Sequence, residues 1–325
     1  MEDRLITAAI VLLGVPAALV GYILVTERLI QALPERRQGR LRPWFWIAPA
    51  LAFLIVFLIY PTINTLVLSF QDKFSRNFVG LDNYIWFFGD PGTLEALRNS
   101  VLWVVFMTGG VVGLGLLVAI LVDRVRYEPV AKTAIFVPLA ISFVAAAIIW
   151  QFMYQYRPPG TPQIGTVNSV LGLVGLGPVD WIRERSFLVD NFALIFIGVW
   201  MWTGFAMVIL SAGLKGISTE LLEAARVDGA NEWQVFRGII LPLLMPTIFV
   251  VGTTIVITAL KSFDIIYTLT NGAFGTDVIA RKMFAEMFTT QHFGRASAVA
   301  IVLLLAIIPF MAVNIRRFRE QEALR

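Results

Sequence analysis

Glu223-Ala-Ala-Arg-Val-Asp-Gly-Ala-Asn-Glu-Trp-Gln-Val-Phe-Arg-Gly-Ile-Ile-Leu-Pro242 is a charged island between two apolar runs, 191–213 and 246–268. Its fixed points spell E-A-A-x3-G-x9-I-x-L-P, with Glu223, Ala224, Ala225, Gly229, Ile239, Leu241 and Pro242 at those positions. Local chemistry predicts its shape. Ser218 is placed to cap a first helix, with Ile217 and Leu222 as a hydrophobic staple. Glu220 and Glu223 fall in the first turns, where the helix dipole favours carboxylates. Ala224 and Ala225 are small enough for a partner surface to approach the backbone. Asp228-Gly229 stops the helix, because glycine takes a positive φ at little cost. Asn231 caps a second short helix carrying Trp233, Phe236 and Ile239. Pro242 and Pro246 are expected to end that helix and redirect the chain. The whole, 215–243, is expected to dock into a groove and pass on rigid-body motion.

The surroundings are those of a membrane protein. Of 325 residues, 58% are hydrophobic and 15% charged, against about 25% charged in a soluble domain. Seven apolar runs, near 5–25, 46–70, 99–122, 132–154, 191–213, 246–268 and 293–315, approach or exceed the ~20 residues that cross a bilayer. The fold class is therefore all-α and polytopic. No A-x-A-like cleavage site follows the first run, and Met1-Glu-Asp-Arg is not a basic leader, so an uncleaved helix is expected. The chain divides into an extra helix with its linker, 1–44, and a core, 45–325.

Charge sets the orientation. Arg28, Arg36, Arg37, Arg40 and Arg42 follow the first run; Arg124, Arg126 and Lys132 follow the third. The tail carries Arg316, Arg317, Arg319 and Arg325, and the island carries Lys215, Arg226 and Arg237. These segments alternate onto one side, which the positive-inside rule makes cytoplasmic. The amino terminus is then outside and the carboxyl terminus inside. The same clustering gives the net charge of +4 to the membrane lipid rather than to nucleic acid. With no cysteine and one histidine, His292, thiolate chemistry and multi-histidine metal sites are excluded. His292 is expected to be a loop residue at the interface. The outer segment 155–190 is expected to fold as turns around a short helix over the apolar run Val167 to Leu176.

The island resembles the coupling loop of membrane subunits of ATP-binding-cassette importers. Six spans preceded by an extra helix, with the loop between the fourth and fifth of the six, resemble the larger membrane subunit of maltose-type and α-glucoside importers. Tyr60-Pro61, Ser69-Phe70, Gly80-Leu-Asp-Asn-Tyr84 and Lys261-Ser-Phe-Asp-Ile-Ile-Tyr-Thr-Leu-Thr-Asn-Gly272 recur in that group, and the likeness covers about 45–318. Gly275-Thr276, Phe293-Gly-Arg295 and Ser297-Ala298 resemble the α-glucoside and glucosylglycerol branch. The resemblance implies a bacterial inner-membrane type I permease. Glu223, Ala224, Ala225, Asp228, Gly229, Ile239 and Pro242 would then meet the ATPase. It also implies a second homologous permease subunit, two ATP-binding subunits and an extracytoplasmic sugar-binding protein. The chain has no G-x-x-x-x-G-K-[ST] loop, so ATP and its Mg are expected on the partner, with no cofactor here and no catalysis by this chain alone.

Sugar sites combine aromatic faces with hydroxyl-directed polar groups. In maltose-type relatives the span matching 191–213 lines the cavity, which carries over to Gly198, Met201, Trp202 and Phe205. The next span adds Thr258, Lys261, Ser262 and Asp264, and Trp150 is a third source. Lys261 and Asp264, three apart, are placed either to pair with each other on one helical face or to bind sugar hydroxyls. Sucrose, trehalose, maltose and glucoside osmolytes all stay open, as does an importer of amino acids or polyamines. A secondary transporter would need coupling carboxylates in several spans, and Asp264 is the chief one found.

Overall fold

In a computed structural model, the chain is described over residues 2–123, 125–184 and 187–322, so Arg124 and Arg325 lie outside the described residues. All regular elements among the described residues are helical. A bilayer demands this of any segment that must pair its own backbone groups. The chain groups into two compact units, Met1–Thr65 and Leu66–Arg325.

The first unit is a helical hairpin. α1 (Glu2–Gln31) turns at Pro34 into α2 (Glu35–Leu54), which continues through a π-turn at Ile55–Ile59 into α3 (Tyr60–Leu68). Arg42 Nη2 donates to both Glu27 carboxylate oxygens, at 2.9 and 3.1 Å, and the Tyr22 hydroxyl donates to the Phe45 carbonyl. Phe53, Phe57 and Leu58 are exposed, as suits side chains solvated by lipid rather than water.

The second unit takes in the last turn of α3 from Leu66, and its first whole helix is α4 (Asp82–Gly89). A long span follows: α5 (Pro91–Leu102), a π-turn at Trp103–Met107 and α6 (Thr108–Val122). Then come α7 (Glu128–Phe136), a 3-10 turn at Val137–Ala140, α8 (Phe143–Met153), α9 (Thr166–Leu173) and α10 (Phe187–Lys215). The island forms α11 (Thr219–Val227) and α12 (Glu232–Val235), which passes through a π-turn at Phe236–Ile240 into α13 (Leu241–Leu260). α14 (Asp264–Leu269), α15 (Ile279–Phe284) with a π-turn at Ala285–Thr289, and α16 (Phe293–Glu322) complete it. Among the described residues, six helices are long and apolar enough to cross a membrane, or seven if one bent pair counts as a span.

That pair occupies the apolar run read at 132–154 and is broken in its middle. α7 and α8 meet at 102°. Pro138 brings no N–H to the 3-10 turn, and Ile141 and Ser142 are extended, with ψ of 140° and 150°. Ser142 Oγ then starts the next helix by accepting from Ala145 N at 3.2 Å. Hydropathy alone is blind to such a break.

α10 is the most enclosed span, and small residues let its neighbours close on it. A Cβ on Gly115 of α6 would lie 2.5 Å from Ala206 Cβ, and one on Gly204 would lie 2.4 Å from the Ile135 carbonyl oxygen of α7. Gly213 similarly meets Leu244 of α13, at 2.8 Å. Around these contacts Leu194, Ile197, Met207 and Leu210 are fully buried.

Buried amides tie down the loops between the spans. Asn168 in α9 donates to the carbonyls of Gln155 and Val179 and accepts from Val179 N and Trp181 Nε1. Of the segment 155–190, the described stretch 155–184 is thus folded, with α9 overlapping the apolar run. Asn99 donates to the carbonyls of Gly275 and Asp277, both at 2.8 Å, joining α5 to the loop before α15. His292 Nδ1 accepts from Arg295 N at 3.2 Å, so the single histidine helps start α16. Asn99→Leu takes the side-chain donor from the buried Asp277 carbonyl and leaves the Gly275 carbonyl with Asn191 alone. A loss of about 2 kcal/mol or more is expected, visible as a thermal unfolding midpoint several degrees lower in detergent; an unchanged midpoint would show that these bonds contribute nothing.

Candidate functional site

α11 closes with a Schellman turn. Ala230 N bonds back to the Ala225 carbonyl at 3.0 Å and Gly229 N to the Arg226 carbonyl at 3.1 Å, with Gly229 at φ +89°. The small-residue motif therefore has a local cause: Ala225 supplies the accepting carbonyl and Gly229 the left-handed residue. Asn231 begins α12 with a reciprocal capping box, its Oδ1 accepting from Gln234 N and its own N–H donating to Gln234 Oε1. Arg226 reaches across the turn to Glu232 at 2.8 Å, and that hydrogen bond and charge push the guanidinium's pKa up. Ser218 stands at the start of α11 as expected, but its hydroxyl makes no capping bond.

One expectation for this loop is overturned. Pro242 and Pro246 do not end the second helix, which runs unbroken from Glu232 into α13. In the π-turn Leu241 N bonds to the Phe236 carbonyl, five residues back. The register slips by one residue there, and Pro242 enters the next helix in its first turn, where no N–H is needed.

Glu223, Ala224, Asp228, Gly229 and Pro242 are exposed, while Ala225 and Ile239 are half-buried. Among them stand two exposed apolar side chains, one of which, Trp233, touches Phe236 with its ring. Val227 is 86% exposed and Trp233 65% exposed. Carboxylates and arginines flank this patch, the composition of an interaction surface. The root of the loop is anchored. Glu128 accepts from Lys132 at 2.5 Å and from Lys215 at 2.6 Å, and Lys132 bonds Ser211 of α10.

The helices that enter and leave this loop also wall a cavity of about 310 Å³. Trp202 lines it from α10, Ile257 and Thr258 from α13, Lys261, Ser262 and Phe263 from the break after α13, and Asp264 and Ile265 from α14. Trp103 and Met107 add the π-turn of the span Pro91–Val122, and Phe143 adds α8. The Nε1–H groups of Trp103 and Trp202 are buried without a hydrogen-bond partner. A buried donor left empty is costly unless a ligand fills it.

Five of the sequence-derived residues, Trp202, Thr258, Lys261, Ser262 and Asp264, thus meet in one place. The pairing of Lys261 with Asp264 on one helical face does not form. α13 ends at Lys261, Phe263 (φ −136°, ψ −54°) leaves the helix, and no ion pair joins the two. Both charges are left to the cavity. Phe205 stands behind Trp202, edge to face at 5.3 Å. Gly198 and Met201 do not line the cavity: a Cβ on Gly198 would lie 3.1 Å from Met107 Sδ, and Met201 is buried in the core. Trp150 belongs to another, apolar cavity of about 630 Å³, with Tyr154, Trp181 and Phe196. Trp103, Met107 and Phe143 were not legible as cavity residues, because hydropathy does not fix the rotation of a span; four-residue spacing is the one hint that Trp103 and Met107 share a face.

Comparison with known proteins now places the chain. Residues 111–317 match the family model described as "Binding-protein-dependent transport system inner membrane component". The osmoprotective compounds uptake permease protein GgtC of Synechocystis sp. is 54% identical over 86% of this chain and 100% of that relative. The α-glucoside transport system permease protein AglF of Rhizobium meliloti is 44% identical over 86% of this chain and 83% of its own length. The fold matches a crystal structure of a bacterial transporter that imports the acidic polysaccharide alginate, with TM-score 0.72 and 24% identity over 87% of this chain and 99% of that one. The chain belongs to the inner-membrane components of binding-protein-dependent transport systems: it is a non-catalytic, multi-pass permease subunit of an ATP-binding-cassette importer, in which a partner ATPase handles the ATP.

Proposed function

We propose that this permease carries a small neutral glucoside, an α-glucoside or a glucosylglycerol-like osmolyte. The observation that carries the reading is the cavity between α10 and α13. The Trp202 indole face suits the apolar C–H patches of a sugar ring, and the unpartnered Nε1–H donors of Trp103 and Trp202 suit its hydroxyls. Lys261, Ser262, Thr258 and Asp264 add hydroxyl-directed groups of both signs. Its volume of about 310 Å³ sits at the small end of the ~300–1,000 Å³ typical of ligand pockets, which supports a compact solute over a long oligosaccharide. A polyamine would call for a cluster of carboxylates, and Asp264 is the one carboxylate in the lining. The names of GgtC and AglF support the same solute class.

The assembly we infer has a second homologous permease completing the pore, two ATP-binding subunits with their ATP and Mg, and an external sugar-binding protein. The amino terminus is outside and the carboxyl terminus inside, with 1–44 an added helix and linker before a permease core of 45–325. The loop at 215–243 docks on the ATPase through Glu223, Asp228 and the exposed Val227. Closure of the ATPase dimer draws the two loops together. α10 and α13 are continuous from the loop to the cavity, so the movement reaches Trp202 and Thr258 without a soft joint.

Gly229→Pro forces φ to about −65° and removes the bond to the Arg226 carbonyl; Glu223→Lys reverses an exposed charge. Each is expected to abolish uptake in proteoliposomes while insertion into the membrane stays normal, and wild-type uptake by both would sink the coupling assignment. Trp202→Ala and Trp103→Phe test the cavity. Loss of an aromatic face or of one donor, at about 1 kcal/mol, should raise half-saturation for the transported glucoside roughly fivefold. Unchanged affinity and rate in both would remove the cavity from the pathway.

A further inference from the structure

We propose that the turn between α1 and α2 is a binding site for anionic phospholipid headgroups. From Thr26 to Ile47 the chain holds five arginines, Arg28, Arg36, Arg37, Arg40 and Arg42, against two carboxylates, Glu27 and Glu35. Five less two leaves three positive charges. The hairpin decides which of them are free. Arg42 is consumed by its two bonds to Glu27, and the same contact, with Tyr22 on the Phe45 carbonyl, holds the two helices together. Arg28, Arg37 and Arg40 are exposed, and among the described residues none of them has a carboxylate within 4.0 Å. Three unpaired guanidinium groups therefore surround one short turn.

Their position relative to the membrane selects the ligand. Arg37, Arg40 and Trp44 follow at spacings of three and four, which puts them on one face of α2. Trp44 is 64% exposed, and Trp46 is exposed beside it. Beyond them the helix is apolar and exposed through Phe53, Phe57 and Leu58. Indoles settle at the headgroup boundary of a bilayer. One turn back, about 6 Å along the axis, the guanidinium of Arg40 falls at phosphate depth. A guanidinium fork donates to two phosphate oxygens at once, and basic clusters next to a membrane span attract anionic lipids. Neutral lipids also carry a phosphate, but their choline or ethanolamine cation cancels its charge. The site should therefore prefer phosphatidylglycerol or cardiolipin.

The full-length chain, reconstituted in vesicles of equal phosphatidylglycerol and phosphatidylcholine and then re-extracted in mild detergent, retains a measurable ratio of the two lipids. Wild type should retain phosphatidylglycerol in excess, and the excess should shrink as salt is raised. Replacing Arg28, Arg37 and Arg40 together by Gln should lower the ratio by roughly fivefold per charge removed, with retained phosphatidylcholine unchanged. Replacing the same three by Lys should keep most of the preference, which separates charge recognition from a damaged hairpin. The proposal is overturned if the Gln variant keeps the wild-type ratio, or if the Lys variant loses as much as the Gln variant. It is also overturned if the Gln variant's sole defect is loss of a co-expressed ATPase subunit, which would make the turn a protein contact.

Discussion

The second unit depends on how closely other helices approach α10. Glycine and alanine at Gly115, Gly204, Ala206 and Gly213 remove the side chains that would hold α6, α7 and α13 away. In a bilayer, lipid tails are as apolar as the helices, so such close packing does what water exclusion does in a soluble core. The consequence is positional. With its backbone against the Ile135 carbonyl and against Ala206's partner Gly115, α10 has little freedom to rotate. Trp202 is thereby held against the cavity and Lys215 beside Glu128.

From that arrangement comes a mechanical link between loop and pore. Thirteen residues of unbroken helix separate Trp202 from Lys215, about 20 Å of rise. On the other side, the helix leaving α12 continues to Lys261 without a stop at either proline. The loop itself is stiffened at its tip by the Schellman turn and the Asn231–Gln234 box, and across the tip by Arg226 and Glu232. A push on Val227 or Glu223 passes through the capped turn at 228–231 into α12 and α13, and through the short non-helical stretch 216–218 into α10. Irregular backbone sits beside the cavity: the 102° bend before Phe143, the π-turn at Trp103–Met107 and the helix end at Lys261. Irregular backbone is tolerated within a membrane where it lines a cavity.

How much of this could be read from the residues differs by element. The turn at Gly229 and the cap at Asn231 were legible because each rests on local chemistry within four residues. Apolar length located the spans for a similar reason. The break at 141–142 was not legible, since Pro138 is compatible with a kinked helix as well as with a broken one. Pro242 misled for the opposite reason: a proline stops a helix unless the register slips before it, and a π-turn leaves no mark in composition. In the cavity, Trp202 and Lys261 were found but Trp103 and Phe143 were not. Which face of a helix meets a cavity is set by small-residue contacts with other spans, and one residue's error rotates a side chain by about 100°. Met201, one residue from Trp202, is buried in the core for that reason.

The chain contains no cysteine, which allows the central claim to be tested at one atom. A single cysteine at Val227, the exposed apolar residue at the tip of α11, would be paired with single cysteines lining the groove of the partner ATPase in native membranes. A second cysteine at Phe57, exposed in the first unit's apolar helix, serves as the control. The account predicts rapid disulfide formation with the ATPase at Val227, changing with nucleotide, and none at Phe57. No cross-link at Val227, or equal cross-linking at both positions, would contradict it.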